Sequence, residues 1–230
     1  MTNATRWKML RTEGLIVKPE HHLSDELLTA YAAGLLAEPL VLLSETHRAM
    51  CGACRSRDRE LRAIGGALLE REAAAAVGDQ LEARVLAAIG QAGALPTRPC
   101  ARQPGDVPEP LARYVGPRFD QLKWRSRGPV SEIRLMPEQD GWVTRLLKIR
   151  PGATMPDHTH EGLEATLVIR GAFSDCTGRY GPGDVALVQG DLDHSPVADD
   201  EDTCICLAVT DAPLRLTGSF GRFLNPFVRL

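Results

Sequence analysis

Residues 152–171 read GATMPDHTHEGLEATLVIRG, and the spacing inside them, Gly152-x5-His158-x-His160-x3-Glu164-x6-Gly171, decides the second half of the chain. Residues two apart on an extended strand face the same side, so His158 and His160 can present their imidazoles together. Glu164 can return to them from the next turn or strand. Gly171 suits a tight bend, and Gly183-Asp184 reads as a further turn. Around this stretch lie short apolar runs between Gly, Pro and Asp: VSEIRLM from Val130, WVTRLLKI from Trp142, ATLVIRG from Ala165, VALVQ from Val185 and TCICLAVT from Thr203. Short strands at this spacing predict a sandwich or barrel.

Upstream the texture differs. Residues 94–110 (ALPTRPCARQPGDVPEP) hold five prolines and read as an extended linker. Before it the periodicity is helical. Ser24 is an N-cap with Asp25 and Glu26 behind it, and Leu27, Tyr31 and Leu35 recur on one face. Pro39 opens a helix over roughly 40–48. A third helix is predicted from Cys51 to about Glu70 with Leu61, Ile64 and Leu68 buried. A fourth begins near Asp79 with Leu81, Val85 and Ile89 buried. Residues 1–20 carry little periodicity and are expected to be a flexible leader.

Within this half stands His47-x3-Cys51-x2-Cys54. Cys-x2-Cys is a zinc-knuckle spacing, and His47 precedes Cys51 by one helical turn, so three ligands converge locally. A closed tetrahedral site needs a fourth, and His21 and His22 are the histidines on offer. Two other readings stay open for the cysteines alone: buried apolar residues, or a redox pair of the kind that follows a strand in a βαβ setting.

Composition bounds the rest. The chain has 230 residues, net charge -3, 43% hydrophobic residues and six cysteines. The charge balance offers no polybasic surface for nucleic acid. No apolar run approaches the roughly 18 residues of a membrane span, and the amino terminus lacks the apolar core of a secretory signal. A cytoplasmic location is expected, and there cysteines point to metal or redox duty ahead of disulfides. Cys204 and Cys206 face one side of a strand, either as an oxidation-sensitive pair or as two small buried hydrophobes. Trp124 and Trp142 are expected to pack the barrel.

The 152–171 spacing resembles the first cupin motif. That resemblance makes His194 the fourth ligand beside His158, His160 and Glu164, a mixed N/O site for Zn, Fe, Mn, Ni or Cu. The second cupin motif is degenerate: its usual proline near Gln189-Gly190 is missing, which weakens an enzymatic reading. His22-x24-His47-x3-Cys51-x2-Cys54, with HHLSDELLTAYAAGLL, resembles the ChrR-type zinc-dependent anti-sigma factors. This implies His22, His47, Cys51 and Cys54 as zinc ligands and an extracytoplasmic-function sigma factor as a 1:1 partner. It also implies a cupin that senses singlet oxygen or related oxidants, with no direct nucleic-acid or membrane contact.

The expected fold is α plus all-β in two domains, a small zinc-binding helical bundle followed by a cupin β-barrel (double-stranded β-helix). The boundaries are 1–20 leader, 21–93 helical domain, 94–110 linker and 111–230 cupin. The helical ligand set is complete before the linker, so that half is expected to inhibit the sigma factor alone. The competing function is a cupin dioxygenase or isomerase with a helical zinc appendage.

Overall fold

The computed structural model describes residues 18–91, 105–190 and 192–217, without the side chains of His160 and Leu214. Cys100 and most of the proline-rich segment lie outside the described residues. Helix α1 spans Asp25–Ala32, α2 Glu38–Met50, α3 Gly52–Leu69, α4 Leu81–Gln91 and α5 Glu109–Val115. Ser24 caps α1 as its sequence implies, accepting from the Leu27 amide. Cys51 breaks α2 from α3. Its backbone is extended (φ -112°, ψ 113°), its amide donates to the His47 carbonyl, and its sulfur accepts from the Cys54 amide that opens α3. That single break brings residues 47, 51 and 54 around one point.

Helix α1 ends before Leu35, which stays 79% exposed, while Leu28 and Tyr31 are buried. The stripe expected on α3 is mostly outside: Leu61 is half-buried against the core, but Ile64 and Leu68 are 56% and 59% exposed, and only Cys54 and Asp58 are fully buried. Helix α4 buries nothing among the described residues. Beyond Leu61, the apolar side chains of α3 and those of α4 are not covered by any part of the described chain. Nor does helical structure stop at the linker, because α5 straddles residue 110 and packs on α2.

The strands are β1 (Arg125–Arg127), β2 (Val130–Arg134), β3 (Val143–Ile149), β4 (His158–His160), β5 (Leu163–Arg170) and β6 (Phe173–Asp175). They continue as β7 (Gly178–Tyr180), β8 (Val185–Gln189), β9 (Val197–Ala198), β10 (Cys204–Thr210) and β11 (Leu214–Leu216). A six-stranded antiparallel sheet runs β1-β2-β3-β10-β5-β8; β7-β6-β9 and β11-β4 form smaller sheets. Gly171 makes the bend after β5 at φ +69°, where a Cβ would lie 2.6 Å from the Thr203 carbonyl oxygen. Trp124 and Trp142 are half-buried against the core.

Register divides the large sheet into a cavity face and an apolar face. Cys206, Ala208, Glu164, Thr166, Ala186 and Val188 line an interior cavity of about 440 Å³. The alternate residues Ala165, Leu167, Ile169, Val185, Ile205, Leu207 and Val209 belong to the cluster that also contains Leu23, Leu28, Leu40, Leu42, Leu43 and both cysteines of the knuckle. Helix α2 lies against β5 and β10. The two halves are therefore layered around one core and not strung in series. Strand β10 is buried almost throughout because it is covered on both faces, which is why TCICLAVT is apolar without alternation.

Leu43 is fully buried in that shared core. We expect Leu43→Ala to cost about 2–5 kcal/mol. In urea, helical circular dichroism and tryptophan fluorescence of a Trp7→Phe background should fall in one transition for both proteins. Two separated transitions would show that the halves fold independently.

Candidate metal centres

His22, His47, Cys51 and Cys54 place one donor atom each within 4.8 Å of the others. Tetrahedral zinc with N and S ligands has donor–donor edges of about 3.3–3.8 Å, so modest contraction suffices. Cys51 Sγ lies 3.3 Å from His22 Nδ1. His47, Cys51 and Cys54 are buried, whereas His22 closes the cluster from the solvent side.

His47 Nδ1 lies 2.8 Å from the carbonyl oxygen of Gly183, in the turn between β7 and β8. A carbonyl only accepts, so Nδ1 carries the proton and Nε2 keeps its lone pair. That Nε2 is buried with no hydrogen-bond partner among the described residues. A buried lone pair facing two thiols is costly unless something electropositive binds it. Burial pushes His47 down to about 4 and, with help from Cys51, pushes the Cys54 thiol up to about 11. The imidazole is thus ready as a neutral donor, and the thiol must surrender a proton to a metal. The donor set fits zinc on these grounds.

His21 turns the other way. Its ring packs on Tyr180 at 4.5 Å and its Nδ1 lies 3.6 Å from Asp184 Oδ2. The structure brings His22, and not His21, to the cluster.

In the sheet half, donor atoms of His158, Glu164 and His194 also lie within 4.8 Å of one another. A reciprocal backbone pair, His158 N to His194 O and His194 N to His158 O, holds the two histidines opposite each other. Their rings are 4.4 Å apart. His158 Nδ1 donates to the Pro156 carbonyl at 2.7 Å, and His194 Nδ1 donates to Asp175 Oδ2 at 3.0 Å. Both rings thereby present Nε2 inward, as histidines do when an outer acceptor fixes their tautomer. Hydrogen bonding to Glu164, then to Asp175, raises the His194 pKa. Burial opposes ionisation of Asp175, but hydrogen bonds from Thr177 and His194 outweigh it and hold the carboxyl below the usual range. His160 ends β4 opposite Leu214, with its side chain outside the described set.

Cys206 borders the cavity, and its sulfur is 3.4 Å from that of Cys204. Both are buried, and the hydrogen bond to Cys204 together with burial raises Cys206 well above the ordinary thiol range. That environment disfavours the thiolate and agrees with the packing role of the two readings.

Sequence reasoning missed three participants. Asp175 orients His194 from the end of strand β6, a position that no spacing rule marks. Gly183 acts through its backbone carbonyl, which has no residue signature. Asp58, buried on α3, binds Arg48 at 2.6 Å and Arg62 at 2.9 Å, and both guanidiniums lie over the Tyr31 ring. This network ties α1, α2 and α3 beside the knuckle.

A helical layer carrying a His2Cys2 cluster is thus set on a cupin-like sheet with its own His/Glu cluster. The ChrR cupin-like domain family profile matches residues 114–213. The anti-sigma-E factor ChrR of Cereibacter sphaeroides is 43% identical over 210 residues, covering 91% of this chain and 98% of that protein. A crystal structure of Rhodobacter sphaeroides SigE in complex with the anti-sigma ChrR matches with TM-score 0.72 and 42% identity, covering 83% of this chain and 98% of that one. The chain belongs to the ChrR family of anti-sigma factors. That relative is a regulator and not an enzyme, so the dioxygenase or isomerase reading is set aside.

Metal capture by the helical cluster should release the Cys54 proton, while His47 stays neutral throughout. Affinity should therefore rise about tenfold per pH unit between about pH 6 and 9 for each proton displaced. Competition with a chromophoric chelator across that range checks this, and a flat profile contradicts it. In the same assay His22→Ala should weaken binding at least about tenfold, and His21→Ala by less.

Proposed function

We propose that this chain binds an extracytoplasmic-function sigma factor 1:1 in the cytoplasm and keeps it from RNA polymerase. In this reading zinc at His22, His47, Cys51 and Cys54 organises the helical layer. A second divalent transition metal, zinc or another such as Fe, Mn or Ni, is held by His158, His160, Glu164 and His194. The cupin responds to singlet oxygen or peroxide and releases the sigma factor. The nearly full-length similarity to a protein crystallised with its sigma factor carries the proposal.

The physical support lies in the uncovered helices. Ile64, Leu68 and Leu69 on α3 and Val85, Leu86 and Ile89 on α4 are all exposed. Their burial by a partner contributes about 1.5–3 kcal/mol for each fully covered side chain. Exposed apolar surface of this kind marks an interaction face. No contact with nucleic acid is invoked, since the chain carries net charge -3. No helix among the described residues is long and apolar enough to cross a membrane.

Two variants separate metal from surface. Cys51→Ser should lose helical metal and sigma binding together. The pair Ile64→Asp and Leu68→Asp should keep the metal and weaken sigma binding by at least about 100-fold, because two buried apolar contacts become desolvated charges. Co-purification and metal analysis read both outcomes. Undiminished binding in a metal-free Cys51→Ser protein would refute the organising role of zinc. Release by oxidant is checked by sigma-dependent transcription with singlet oxygen, using Glu164→Ala as the unresponsive form.

A further inference from the structure

The segment Asp175–Asp184 touches both candidate metal centres. At one end Asp175, almost fully buried, accepts from His194 Nδ1 at 3.0 Å. Its other oxygen accepts from the Thr177 amide at 2.8 Å and from the Thr177 hydroxyl. Thr177 Oγ1 is 2.8 Å from Tyr180 OH, and the Tyr180 ring packs on His21. At the other end the turn holds the helical cluster's ligand segments. Gly183 O accepts from His47 Nδ1 at 2.8 Å. Asp184 Oδ1 accepts from the amides of Glu20 and His21 at 2.6 and 2.8 Å, immediately before His22. The Val185 amide donates to the His21 carbonyl.

The turn has little room to adjust. Gly183 sits at φ +93°, and a Cβ there would lie 2.6 Å from Pro19 Cγ. Asp184 Oδ2 closes the turn on the Gly181 amide at 2.8 Å. Two ligands of the helical cluster are thus positioned by groups of the sheet half. One hydrogen-bonded hairpin runs from those groups to a ligand of the other cluster.

We propose that the hairpin 175–184 couples the two centres, so that metal on the cupin cluster slows metal loss from the helical cluster. Occupancy fixes His194, which fixes Asp175 and the hairpin behind it. The fixed turn then holds Gly183 O on His47 and Asp184 on the segment that carries His22. Loss of the cupin metal removes that restraint from His194, leaving it held by Asp175 and its backbone pair with His158, and loosens the hold. Coupling is reciprocal, so a filled helical cluster also tightens the cupin metal. The inference rests on both clusters holding metal, which the first measurement tests by itself.

Cobalt(II) is the probe, loaded into the full-length chain. Elemental analysis comes first, and two metals per chain are expected. Thiolate-to-cobalt absorption then reports the helical cluster, because the cupin cluster offers only nitrogen and oxygen donors. Loss of that band into excess chelator is followed by stopped flow. His158→Ala, which disables the cupin site without touching the hairpin, should speed the loss at least about fivefold. Asp175→Ala should do the same, and the double variant should be no faster than either single one, as for two cuts in one connection. The wild-type chain stripped of its cupin metal and then refilled gives the same comparison without substitution, which covers a variant that fails to fold. One metal per chain would overturn the cupin-site reading and the coupling with it. Two metals with loss rates equal within twofold would overturn the coupling alone.

Discussion

Strand β10 is apolar on both faces, and the rest of the structure follows from what covers each. Its inner face closes the cavity beside His158, Glu164 and His194. Its outer face, through Ile205, Leu207 and Val209, is capped by α2 with Leu40 and Leu43. A sheet that left the second face in water would expose a continuous apolar surface, with stability lost in proportion to its area. Covering it fixes α2, and α2 carries His47 at the level of the Gly183 carbonyl.

The same device recurs at every described histidine of the two clusters that makes an outer hydrogen bond. His47, His158 and His194 each commit Nδ1–H to an oxygen: Gly183 O, Pro156 O and Asp175 Oδ2 respectively. Each ring is then locked in the tautomer that points Nε2 at the cluster. The acceptors differ in strength. A carboxylate raises ligand basicity more than a carbonyl does, in line with the raised pKa of His194. Asp175 ends strand β6, from which the chain runs on toward the turn at Gly183.

Function and stability make opposite demands on the helices. Near the sheet they are pinned by the shared core and by Asp58 between Arg48 and Arg62. Farther out, along α3 and α4, apolar side chains remain in water. A chain that folds alone does not leave such a stripe without a cost in solubility, and a partner that covers it gains affinity from the same area. Periodicity predicts an apolar stripe on these helices correctly. It cannot tell a stripe that meets the chain's own core from one that awaits another protein, because both obey the 3.6-residue repeat.

What the sequence determined by itself is local chemistry. His47-x3-Cys51-x2-Cys54 converges within one helix break because that spacing is set by backbone geometry alone, and His158 and Glu164 fall on consecutive strands. The ChrR-type and cupin resemblances were legible in the same residues. Tertiary structure decided the rest. It put His22 in the cluster and turned His21 toward Asp184, a choice between adjacent residues made by the path of residues 19–22 across the Gly183 turn. It also made the two halves one layered body where the proline-rich segment suggested beads on a string. The physical reason is that the apolar outer face of β5 and β10 is visible in sequence only as extra hydrophobicity. Which helix covers it depends on contacts more than a hundred residues apart, such as His47 with Gly183, 136 residues further along the chain.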